Sequence, residues 1–112
     1  MITGTYPATV AVGATESNII SLDNLAVVGL MTPSALSSTA ITIRASSSTM
    51  DKLKTVYGAT GSALSITVAA SRFIGFTQDI TRQLSGARYI QLVCGSTESA
   101  GAIIDVVAVH LV

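Results

Sequence analysis

Cysteine, histidine and tryptophan are nearly missing from this chain, which has one Cys, one His and no Trp. A single Cys excludes an intrachain disulfide, and Cys94 sits in an apolar run where it reads as a small buried hydrophobe. His110 alone cannot build a His-rich metal site. The carboxylates Glu16, Asp23, Asp51, Asp79, Glu98 and Asp105 are scattered without the Asp-x-Asp spacing that calcium or magnesium loops use, and they read as turn or strand-end residues. Gly58 and Gly61 are not followed by the Lys-Ser or Lys-Thr of a phosphate-binding loop. No metal, cofactor or small-molecule substrate is therefore expected.

Charge is also scarce, at 11% of residues against about 25% in typical domains. Six basic and six acidic residues cancel. All six basic groups lie in residues 44–88, but they are few and not interleaved with aromatics, so no nucleic-acid partner is expected. No Lys or Arg precedes Arg44, unlike a basic signal peptide, and the longest uncharged run, 24–43, is broken by Pro33 and rich in hydroxyls, a poor membrane span. Thr97-Glu98-Ser99-Ala100-Gly101 imitates the end of a serine-hydrolase elbow. Thr97 replaces its first glycine and no helix signal follows, so the string reads as a surface hairpin loop and the chain as no enzyme.

What is present is 49% apolar residues with fourteen Ser and fourteen Thr in 112 residues. Period-2 alternation recurs in short runs, with almost no helical periodicity. The clearest run is 86–95, closed by Gly86 and Gly95, with Ile90, Leu92 and Cys94 on a core face and Tyr89, Gln91 and Val93 opposite. Further strands are expected at 16–22, 25–31, 40–46, 53–57, 64–68, 73–76 and 102–112, with one helical turn at 79–84 capped by Asp79. In 25–31, Leu25, Val27, Gly29 and Met31 share one face and Ala26, Val28 and Leu30 the other. In 102–112, Ile103, Asp105, Val107, Val109 and Leu111 share one face, and both faces are largely apolar, which calls for cover on two sides. Residues 1–14 read as an extended N-terminal arm ending in a short strand around 9–12, with the part before Pro7, which denies a ladder hydrogen bond, an edge or an extended tail, and 15–112 as one domain. The expected fold is all-β, an antiparallel β-sandwich or jelly roll.

Residues 17–22, 41–46, the hairpin through Tyr57-Gly58 and 64–68, and 87–92 together resemble, in their order, the blocks of small jelly-roll structural proteins of tailed bacteriophages, above all capsid decoration, or cement, proteins. The resemblance implies a virion protein made in the host cytoplasm, bound as a trimer to the outside of an icosahedral shell, with the major capsid protein as its partner. Where such sequences often carry a basic residue and serine after the Tyr-Ile block, this chain has Gln91 and Val93-Cys94. Low charge, an arm and repeated weak contacts suit that role. The contacts are expected at Ile2, Tyr6, Pro7, Val10 and Val12 of the arm and at Ile103, Val107, Val109 and Leu111 of the last strand. Competing readings are a carbohydrate- or receptor-binding β-sandwich, for which Tyr57 is the natural stacking ring, and a minor tail or baseplate subunit.

Overall fold

Alternation of apolar with hydroxyl-bearing residues produces ten strands: β1 (Ile2–Val10), β2 (Ala14–Glu16), β3 (Ile20–Ser21), β4 (Leu25–Met31), β5 (Ala40–Ser46), β6 (Lys54–Thr55), β7 (Ser65–Thr67), β8 (Phe73–Gly75), β9 (Tyr89–Glu98) and β10 (Ala102–His110). Among the described residues, one short α-helix, α1 (Gln78–Gln83), precedes β9, and a single 3-10 turn, Met50–Lys52, follows β5. The computed structural model describes residues 2–22, 25–58, 61–84 and 86–110.

The strands form two antiparallel sheets, one ordered β1-β10-β4-β8 and the other β2-β9-β5-β6, with β3 also on β9 and β7 also on β5. If β2 and β3 count as one interrupted strand, and β6 and β7 as another, the first sheet holds strands one, eight, three and six and the second holds two, seven, four and five. That is the wrapping of a jelly roll. Ile41, Ile43, Ile90, Leu92 and Cys94 of the second sheet meet Ala8, Val10, Val27, Leu30, Ile104 and Val106 of the first in one core. The expected core face of β9 is thus the observed one.

The segment read as an N-terminal arm is extended, but Ile2–Val10 lies along its own chain's β10 for nine paired positions. Tyr6, Ala8 and Val10 turn inward, and Pro7 and Thr9 turn outward. Thr9 explains how a proline fits. Its N–H donates to Asn18 Oδ1 (2.7 Å) and its carbonyl accepts from Asn18 N–H (3.3 Å), so its backbone groups face away from β10. Pro7, two residues earlier, faces the same free edge, where its missing N–H breaks no ladder bond. The same asparagine interrupts β2–β3. Ser17 stays with β9, its N–H donating to Leu92 O and its Oγ accepting from Leu92 N–H, both at 3.0 Å, while Asn18 leaves to close the edge of β1.

β4 departs from simple alternation. Val107 pairs with Gly29 but Ala108 pairs with Val27, which leaves Val28 as a bulge. The extra residue brings Val27 and Leu30 to the same core face, where strict period-2 counting separates them. Gly29 is required at this point, since a Cβ there would lie 2.6 Å from the Ile74 carbonyl oxygen of β8. The helix starts one residue before the expected position, and its cap is Thr77, whose hydroxyl accepts from Ile80 N–H (3.4 Å), rather than Asp79. β9 runs on through Gly95 to Glu98. Gly95 does not end the strand; it admits the Ala40 carbonyl oxygen, which would sit 3.1 Å from a Cβ.

Candidate functional site

The two sheets show very different outer faces. On the second sheet, Arg44 pairs with Glu16 and donates to Gln91 Oε1 (3.4 Å), while Gln91 Nε2 donates to Ser17 O (2.9 Å). Thr42, Ser65 and Thr67 extend this polar surface in register. Tyr89 is half-buried at its margin beneath the Arg88 guanidinium, 5.7 Å from the ring centroid.

The first sheet carries an apolar outer face. Pairing aligns Pro7, Asp105, Met31 and Phe73 in one row across its four strands, and Thr5, Val107, Gly29 and Gly75 in the next. Phe73 is 66% exposed and Ile103, two residues from Asp105 on the same face, 54%. Val107 and Val109 are well covered but lie outside the inter-sheet core, in the middle row where β1 and β4 flank them. Asp105 is the one ionisable side chain in these two rows. Exposed large apolar side chains on a weakly charged sheet are a surface suited to burial against protein.

At the end of this face opens a groove of about 480 Å³. Its walls are three segments: Thr9–Val12 at the end of β1, Pro33–Ala35 after β4, and Ala100–Ile103 at the start of β10. Val12, 74% exposed, stands at its rim.

Ser37 and Ser38, just after the Pro33–Ala35 wall, bind an ionisable group that reads from sequence as part of a surface loop. Glu98 is the last residue of β9 and only 1% exposed. Its Oε1 accepts from Ser37 N–H (2.9 Å), and its Oε2 accepts from Ser38 N–H (2.8 Å) and Ser38 Oγ–H (2.6 Å). Burial alone would raise its pKa, but these bonds to the charged form outweigh burial and hold it below the ordinary glutamate value. The neighbouring Cys94 thiol is pushed up by burial, against a lowering contact from Ser38, with the Glu98 charge adding to the rise. A thiol kept protonated is a poor nucleophile, and the cluster acts as a structural clamp on the segment 32–39. Among the described residues, no three of His, Cys, Asp and Glu gather as a metal site, and no helix is long and apolar enough to cross a membrane.

The contact residues expected from sequence divide accordingly. Val12 and Ile103 are exposed and share the groove; Pro7 lies exposed on the outer face. Val107 and Val109 are on that face but covered. Val10, 1% exposed, belongs to the core, and Tyr6 packs half-buried against it, so neither is free to meet a partner. Ile2 pairs with His110 in the sheet, and Leu111 lies outside the described residues. Met31 and Phe73 were missed because the row joins strands far apart in sequence.

Comparison of the chain with protein-family models, with curated proteins and with solved structures finds no match.

Proposed function

We propose that this chain is a non-catalytic structural protein that docks through the outer face of its first sheet, and that it serves as a trimeric decoration subunit on the exterior of a phage shell, against the major capsid protein. One observation carries the docking half: the first sheet turns Phe73, Met31 and Ile103 outward with a single carboxylate, while the second is faced with an ion pair and hydroxyls. A face with little charge loses little hydration when covered, and many copies on one particle add weak contacts by multivalency. The shell and the trimer rest on the sequence resemblance.

The test is co-sedimentation of the purified protein with empty shells assembled from the major capsid protein proposed as its partner. Ile103→Asp lowers the bound fraction at least tenfold, whereas Thr42→Asp on the second sheet leaves it unchanged. Equal binding by wild type and Ile103→Asp sinks the docking face. Tyr57 is 62% exposed, which favours a glycan-binding reading as the runner-up. Glycan-array signal that disappears in Tyr57→Ala would replace the shell reading with that one.

A further inference from the structure

We infer that Glu98 is an acid-releasable latch: while ionised it clamps Ser37 and Ser38 and fixes the wall of the groove, and its protonation frees that wall while the sandwich stays folded. The segment 32–39 is tied down at two ends by different means. Its entry is held by backbone and hydroxyl bonds that do not titrate, from Thr32 N–H to Arg72 O (2.8 Å), from Thr32 Oγ to Ala69 O (2.6 Å) and from Ser71 N–H to Pro33 O (2.9 Å). Its exit is held by Val68 N–H donating to Thr39 O (2.9 Å), by Ser96 and by the Glu98 carboxylate. Pro33, part of the entry anchor, lines the groove with Ser34 and Ala35, and Leu36 after them packs against the core.

Protonation has a defined local consequence. A carboxylic acid turns one acceptor oxygen into a donor, and the bonds that remain fall from charge-assisted to neutral strength. The Ser38 hydroxyl has a second acceptor within reach, Ser96 O at 3.0 Å, so it can turn away from Glu98 and accept the new acid proton. Ser38 N–H is then left with the weakly accepting oxygen of the acid O–H, and Ser37 N–H with a neutral carbonyl oxygen. Buried donors left in this way open readily to water.

Among the described residues that pack on the carboxylate, no other charge competes for the site. The segment 32–39, the turn 11–14 whose Gly13 N–H donates to Glu98 O, and the turn 99–102 contain no ionisable side chain. On β9 the one titratable neighbour is Cys94, which stays neutral throughout the acid range. Glu16 is engaged by Arg44 on the outward side of the second sheet. The latch belongs to the fold and stands whatever occupies the groove.

The test is amide hydrogen exchange by NMR from pH 7 down to the pH at which the Glu98 carboxyl-carbon signal completes its titration, corrected for intrinsic exchange. Exchange at Ser38 rises by about tenfold or more across the Glu98 titration, the size expected for loss of a charge-assisted bond. Ser37 rises less, and Leu92 in the core does not respond. Ser38→Ala, which leaves the carboxyl in place, raises the Glu98 titration midpoint; Glu98→Gln shows fast exchange already at pH 7 at whichever of Ser37 and Ser38 its amide NH2 faces, and no step. Exchange at Ser38 that tracks Leu92 at every pH overturns the latch, as does a Glu98 carboxyl whose titration leaves Ser37 and Ser38 unchanged.

Discussion

Replacing Glu98 by Gln keeps the shape of a buried side chain and changes only its charge and one acceptor. Oε1 and Oε2 together receive three donors from Ser37 and Ser38. A glutamine amide has one oxygen, so its NH2 group must face either Ser37 N–H or the Ser38 pair, donor against donor. At least one buried donor is orphaned and the surviving bonds become neutral, a loss of roughly 2–4 kcal/mol after allowing for the relief of burying a charge. Sign follows from the depressed pKa. The ionised clamp contributes fully above the unfolded-state pKa of about 4.3, and its contribution falls away as pH drops through the lower folded-state value. Urea unfolding at pH 7 should therefore separate wild type from Glu98→Gln by that amount, and the gap should narrow steadily below pH 4. A gap under about 0.5 kcal/mol at pH 7, within the range of ordinary surface substitutions, would show that the clamp is not made in solution. A gap independent of pH would show that charge is not its basis.

Other substitutions separate the core from the docking face. Leu92→Ala, at a fully buried position, should cost about 2–5 kcal/mol in urea unfolding. Gly29→Ala should cost about 1–3 kcal/mol by thermal or urea unfolding, because the 2.6 Å approach to Ile74 O cannot be relieved by a rotamer and must push β8 away. Cys94 should resist thiol reagents at pH 8 until the protein is unfolded, since burial keeps the thiol protonated and covered. Sedimentation at micromolar concentration should show three associated copies; a monomer alone counts against the trimer.

Period-2 patterning made the strands legible: 25–31 and 40–46 match β4 and β5 residue for residue, and Ile90, Leu92 and Cys94 face the core as their spacing dictates. What escaped was set by distant partners. Residues 2–10 look like an arm because proline and glycine weaken their local strand signal, yet β10, a hundred residues on, supplies the ladder and the free edge absorbs Pro7. The Val28 bulge left no sign in the sequence, and one inserted residue reversed the face assigned to Leu30 relative to Val27. Glu98 did carry a signal, since it shares parity with Ile90, Leu92 and Cys94, but its serine donors lie 60 and 61 residues away. A carboxylate beside a turn reads as solvated unless those donors are known.

The N-terminal result also changes which perturbation is informative. Deleting residues 1–12 would remove Ala8 and Val10 from the core and strip β1 from the first sheet, so lost binding could reflect unfolding. Exposed positions such as Ile103 test contact without that cost. The most direct measurement is cryo-electron microscopy of the decorated particle. Density for this jelly roll is expected outside the shell, with Ile103, Phe73 and Met31 turned onto the coat subunits or neighbouring copies and the Arg44–Glu16 face in solvent. A particle on which the second sheet makes the contact, or on which the first sheet's outer face stands bare, would contradict it.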